Sequence, residues 1–253
     1  MLNFYNNSPL EQFKIKKVFN LGTPFFDISI TNSAIFIFLA VGFVLTLFVV
    51  SLYKSYIIPQ KWQSIAELCY EFIYNNFVME IIGKRGDNLF PLILTLFFFI
   101  FSCNLIGMVP YTFTPTSHII ITFSLSMTFF LGFTLNGIRL HGFKFFNLFI
   151  PHGAPLVLVP FLIVFEIISY VVRVFSLAIR LFANLTAGHS LTKILAGFAW
   201  QMLLYGGTVT LLSIIPIAII FAVVILELGV AFLQAYVFTV LTCIYIKDTI
   251  YLH

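Results

Sequence analysis

"PFLIVFEIISYVVRVFSLAIRLFANLTAGHSLTKILAGFAWQMLLYG" (Pro160–Gly206) decides the fold of this chain. Its interior has no further proline, and its two interior glycines, Gly188 and Gly197, are isolated. Helix formers dominate. A continuous helix of this length measures ~65–70 Å, about twice the ~30 Å of membrane hydrocarbon. Standing upright, it would project far into water with apolar side chains. A hairpin needs a turn, and no proline or glycine pair inside the segment marks one. The least costly conformation is a helix lying strongly tilted in a membrane, although ordinary spans tilt by only about 20°.

The rest of the composition agrees. The chain has 253 residues, 61% hydrophobic and 9% charged, with a mean hydropathy of +1.08. So little polar surface cannot cover a soluble domain. The formal net charge of +4 speaks first to topology. It is not gathered into a basic cluster, so nucleic acid is not an expected partner. Cys69, Cys103 and Cys243 show no C-x-x-C or metal spacing and read as isolated membrane thiols. The N-terminus has neither a secretory n-region and apolar core nor an Arg-rich transit pattern. The 33 phenylalanines are typical of A/T-rich genomes and point to an organelle-encoded gene.

Working outward, the sequence predicts one membrane domain over 1–253. An N-terminal segment (1–30) carries Lys14, Lys16 and Lys17. Spans follow at 32–53, 89–108 and 119–138. Between the first two, residues 61–83 place Ile65, Leu68, Phe72, Ile73 and Phe77 at helical spacing, with Glu67, Glu71, Asn75 and Glu80 elsewhere. Such a helix lies on the membrane surface or packs on a partner subunit. Then come the long tilted helix (155–203) and a last tilted helix (216–246). The expected class is an all-α polytopic membrane protein with about five membrane segments and one amphipathic surface helix. Lys54, Lys61, Lys84, Arg85, Arg139, Lys144 and Lys247 fall in alternate loops or at the C-terminus, while loops 110–118 and 201–215 have no Lys or Arg. The C-terminus is therefore expected on the positive-inside face. The three N-terminal lysines oppose this, seven to three.

Polar residues on the long helix are ordered. Glu166, Arg173 and Arg180 are seven apart, and Ser169, Ser176 and Asn184 fall on the same side, within an arc of roughly 80°. His189 and Lys193 share another face, roughly opposite Arg180 unless Gly188 bends the helix. On the last helix Glu227 and Gln234 are seven apart, Tyr245 returns to their side, and Asp248 lies somewhat off it. Each ionisable group at membrane depth costs ~2.5–3.5 kcal/mol on insertion scales. Such groups mark an ion path or a pairing site, and Glu166 with Arg173 has the spacing of an ion pair that fixes packing. Arg180 has no carboxylate three or four residues away, so its partner lies on another helix or chain. Arginine stays protonated, whereas histidine and a desolvated glutamate exchange protons near neutrality. A fixed cation beside His189 and Glu227 fits a barrier within a proton path. His118, His141, His152 and His253 read as structural or solvated, Lys193 as snorkelling, and Gln234 equally as interhelical glue.

Two blocks carry a resemblance. "SLAIRLFANLTAGHSL" (Ser176–Leu191) and "LELGVAFLQAYVFTVL" (Leu226–Leu241) closely resemble subunit a of the F-type ATP synthases. "CNLIGMVPYTF" (Cys103–Phe113) and "PLVLVPFL" (Pro155–Leu162) fit as well. "SPLEQF" (Ser8–Phe13), "YIKDTIYLH" (Tyr245–His253) and the pairing of His189 with Glu227 look like the mitochondrial type. The resemblance covers nearly the whole chain. It implies a non-catalytic stator subunit in the mitochondrial inner membrane, with two steeply tilted helices against a ring of c-subunits. Membrane lipid and other membrane and peripheral-stalk subunits are the implied partners, and no cofactor or metal is implied. Arg180, Gln234 and Asn184 match the barrier facing the ring. His189 and Glu227 match the intermembrane-space half-channel, and Glu166, Asp248 and Arg173 the matrix half-channel. Some fungal relatives lose a leader before the position matching Ser8, and its removal is not expected here.

Two other classes compete. A self-contained channel or secondary transporter needs a complete internal pathway and commonly has repeated halves, which this sequence does not show. A membrane enzyme is suggested only by "GHS" (Gly188–Ser190). Adjacent helical residues do not face each other, and there is no G-x-S-x-G elbow. The absence of a G-x-x-x-x-G-K-[ST] loop places ATP chemistry in other subunits.

Overall fold

The computed structural model describes residues 9–20, 29–53, 56–109, 112–149 and 159–251. Ser8, Lys54, Pro110, His152, His253 and the predicted helix start at 155–158 lie outside them. Among the described residues, five helices are long and apolar enough to cross a membrane. This is the predicted all-α polytopic class.

A 3₁₀ turn (Pro9–Phe13) precedes β1 (Lys17–Phe19), which pairs antiparallel with β2 (Ile30–Thr31). Asn32 Oδ1 accepts the Lys16 N–H at 3.1 Å and joins this ribbon to the first helix. That helix, α1 (Asn32–Leu52), has no charged residue.

The amphipathic segment is α2 (Lys61–Ile73), continued by a π-helical stretch over Tyr74–Ile82. Gln63, Ala66, Ile73, Phe77 and Val78 are buried, but Ile65 and Leu68 are exposed. The five apolar positions therefore do not form a single face. Gln63 holds the preceding linker, accepting the Tyr56 N–H at 3.0 Å and donating to the Tyr56 carbonyl at 2.9 Å. The segment packs within its own chain, with the Phe77 ring centroid 5.1 Å from Tyr236 and 5.9 Å from Phe97. Apolar burial gains little against lipid, so close packing of this kind holds membrane helices together. Each favourably oriented aromatic pair contributes about 0.5–1.5 kcal/mol.

Next is α3 (Phe90–Gly107), with Pro91 in its first turn where the missing N–H leaves no bond unmade. Half of its apolar window is buried, against 11–17% in the other four, so α3 is the centre of the bundle. α4 (Ile119–His141) runs beyond the predicted 138 and takes in Arg139 and His141. Cations suit the negative end of a helix, and Gly142 ends it at φ 55°.

α5 is one uninterrupted α-helix, Val159–Tyr205, which excludes the hairpin. Leu177, Leu181 and Leu185, four apart, form its inner row in the core. It ends at two successive left-handed glycines, Gly206 (φ 70°) and Gly207 (φ 64°). The short α6 (Thr208–Leu212) follows, then α7 (Ile214–Ile250). α7 starts two residues before Pro216, which its first turn tolerates. It also reaches past the predicted 246, so Lys247 and Asp248 are helical. Ala231 and Ala235 are fully buried on α7 and allow close helix approach. Replacing both Gly206 and Gly207 with alanine is expected to cost about 1–2 kcal/mol per residue, because a Cβ strains the left-handed region. Thermal unfolding in detergent, followed by circular dichroism, measures it.

Candidate functional site: three polar groupings on the α5–α7 pair

The midpoint of α5 is Phe182, so Arg180 lies two residues, about 3 Å, from the helix centre. Arg180, Asn184, Ser176, Ser169 and Glu166 are all exposed, whereas Arg173 is half-buried. The predicted stripe therefore faces outward from this chain. Among the described residues Arg180 makes no ion pair.

α7 behaves oppositely. Glu227 and Gln234 are 9% and 6% exposed, so its polar line points into the packing. Gln234 thus belongs to the interior, unlike Arg180 and Asn184. Arg173 sits 5.9 Å over the Tyr245 ring, and Thr192 meets Glu227. Nineteen residues along α5 thus match eighteen back along α7, as antiparallel helices in constant register require. This sets Arg180 level with about Phe238, one turn from Gln234.

Toward the C-terminal end of α5, His189 and Glu227 come together, close enough for the carboxylate charge to act on the imidazole. Glu227 Oε1 lies 3.0 Å from the Thr192 hydroxyl. The reason they fit is Gly188. Its absent Cβ leaves the space that the Glu227 carboxyl fills, and a Cβ built there would overlap Oε1. The glycine serves close approach, not the bend that sequence alone allows. Thr114 Oγ1 is 3.4 Å from His189 Nε2, and the Phe13 ring centroid is 6.4 Å from that of His189.

Thr114 belongs to the loop before α4, which is buried over Phe113–Ser117. Asn104, fully buried on α3, supports it. The Thr116 hydroxyl donates to Asn104 Oδ1 at 3.0 Å, and Asn104 Nδ2 donates to the Ala231 carbonyl at 3.3 Å. Burial pushes the neighbouring His118 imidazole below its ordinary value. Asn104→Leu leaves the Thr116 hydroxyl without that acceptor. It is expected to cost about 1–3 kcal/mol, read as a lowered unfolding temperature of the purified protein.

Toward the N-terminal end of α5 a second grouping forms. Arg173 Nη2 lies 3.9 Å from Glu166 Oε1, with both side chains partly exposed, so this is a loose ion pair. Asp248 is within electrostatic reach of Tyr170 and Tyr245, and Arg180 is within reach of Tyr245. The Tyr170 and Thr134 hydroxyls are 2.9 Å apart. The Tyr245 hydroxyl is buried with no hydrogen-bond partner.

The structure thus brings His189 to Glu227 and Glu166 to Arg173, and both Tyr170 and Tyr245 are within electrostatic reach of Arg173 and Asp248. Sequence reasoning missed Thr114, Thr192, Asn104, Thr134 and Tyr170. Hydroxyls and amides at membrane depth were the available signal, but they are too common to single out. Among the described residues no His, Cys, Asp or Glu cluster has metal-binding geometry.

Fold and site together define a multi-pass membrane protein with ionisable groups arrayed along its longest helix pair. The sequence model of the family described as ATP synthase A chain matches residues 34–247. ATP synthase subunit a of Chondrus crispus is 49% identical, with 99% of each chain covered. Its namesake from Marchantia polymorpha is 50% identical over 97% of this chain and 99% of the relative. That of Rhodospirillum rubrum is 45% identical over 98% and 100%. The chain belongs to the ATP synthase A chain family.

Proposed function

We propose that this chain is the proton-translocating stator subunit of an ATP synthase membrane sector, working in the mitochondrial inner membrane against a rotating ring of c-subunits. One observation carries this. The ionisable groups divide into two clusters toward opposite ends of the α5–α7 pair, His189 with Glu227 and Glu166 with Arg173 and Asp248, with Arg180 between them, exposed and without an ion pair among the described residues. A protein with one continuous pore has no use for such a division. Two half-channels, each open to one side, require it.

In this scheme protons from the intermembrane space pass His189 and Glu227 to a carboxylate on the ring. After nearly a full rotation they leave by Glu166, Arg173 and Asp248 toward the matrix. Arg180 and Asn184 face the ring, and Gln234 supports Arg180 from within. Because arginine keeps its proton, Arg180 attracts the deprotonated ring carboxylate and stops protons from crossing directly. A helix of 47 residues lies steeply tilted to follow the ring and remain in the hydrocarbon. One charge crossing 100 mV releases about 2.3 kcal/mol, so several protons serve each ATP, which is made in other subunits. Residues 1–253 act as one membrane domain.

Reconstitution tests the proposal. The chain is expected to co-purify with a c-ring and to conduct protons only in its presence. Proton conduction by the purified chain alone in vesicles would favour the channel reading instead.

A further inference from the structure

A cavity of about 400 Å³ opens between the C-terminal ends of α4 and α7 and residues 85–89, at the end of the bundle that the Lys and Arg distribution marks as positive-inside. It is lined by Arg85, Asn88, Asn136 and His141, with Leu89, Leu140 and Ile250 completing the wall. We propose that this cavity binds the phosphate head group of an anionic phospholipid.

The chemistry of the lining selects an anion. Arg85, Asn88 and Asn136 each offer N–H donors, and no carboxylate lines the cavity. The Arg85 guanidinium lies 5.1 Å from the centroid of the Tyr251 ring. Stacking of this kind orients the guanidinium while its N–H fork stays free for phosphate oxygens. His141, which also lines the cavity, has its Nε2 buried with no hydrogen-bond partner. Lys84 precedes Arg85, and Arg139 and Lys247 stand in the last turns of α4 and α7. Positive charge therefore accumulates where the head groups of that leaflet lie.

The apolar wall selects a lipid over free phosphate. Leu140, which lines the cavity, is 59% exposed and gives it an apolar edge open to the outside. Acyl chains can leave by that edge. The volume falls within the ~300–1,000 Å³ range of ligand pockets.

The test uses the full chain in its intact membrane complex, reconstituted in nanodiscs with a trace of photoreactive phosphatidylglycerol. Cross-linked peptides are mapped by mass spectrometry. Label is expected on the peptides containing Arg85–Asn88 and Leu140–His141. Unlabelled phosphatidylglycerol should displace it, and phosphatidylcholine or inorganic phosphate should not. Arg85→Gln should lower labelling by about tenfold, the weight of one charge-assisted hydrogen-bonded contact, and Arg85→Lys by less. Asn136→Leu gives an independent variant should Arg85→Gln fail to assemble. Labelling that survives both variants would overturn the site. Equal displacement by phosphatidylcholine would overturn its preference for an anion, and displacement by inorganic phosphate would overturn the lipid assignment.

Discussion

Arg180→Ala is expected to reduce proton-driven ATP synthesis and ATP-driven proton pumping to background in a complex that still assembles. Folding and function separate cleanly at this position. Arg180 is exposed and, among the described residues, makes no ion pair, so its removal breaks no internal contact of that kind. Loss of a charge from membrane depth even favours insertion, by about 2.5–3.5 kcal/mol. The variant should therefore be at least as stable as the parent in thermal unfolding, yet uncoupled. Arg180→Lys keeps a cation but replaces a permanent charge with one that can titrate, and should remain severely impaired. Coupled synthesis at the parental rate in Arg180→Ala would remove the barrier role.

The second large effect is expected at Gly188. Helix propensity alone predicts that alanine stabilises this position by about 1 kcal/mol. Packing predicts the opposite, because the new Cβ would occupy the place of the Glu227 carboxyl, and overpacking of this kind costs about 1–3 kcal/mol. Glu227 must then move away from His189 and Thr192. Gly188→Ala should lower proton conduction by at least about tenfold, a barrier increase of roughly 1.4 kcal/mol. Gly197→Ala is the control, since a Cβ there meets nothing within 4 Å. It should be neutral or stabilising, with conduction unchanged. Glu227→Gln should reproduce the conduction loss without the steric change. Normal conduction in Gly188→Ala would show that the close approach is not needed.

Membrane class, five apolar spans and the length of the longest helix were legible from the sequence. So was the seven-residue spacing of Glu166, Arg173 and Arg180. These properties are local, because composition and periodicity along one segment decide them. Hydrogen bonding within the backbone forces helix on any lipid-buried segment. Spacing also shows which residues share a face of one helix, but not which way that face turns. The rotation of a helix about its own axis depends on neighbours distant in sequence. Only the tertiary structure turned the Arg180 stripe outward and the Glu227–Gln234 line inward, because Leu177, Leu181 and Leu185 took the core side of α5. Only it set Glu227 over Gly188, 39 positions away in the numbering. It also buried the Thr114 loop against Asn104 and brought Tyr245 beneath Arg173. In each case one partner's position is fixed by packing that no single segment encodes.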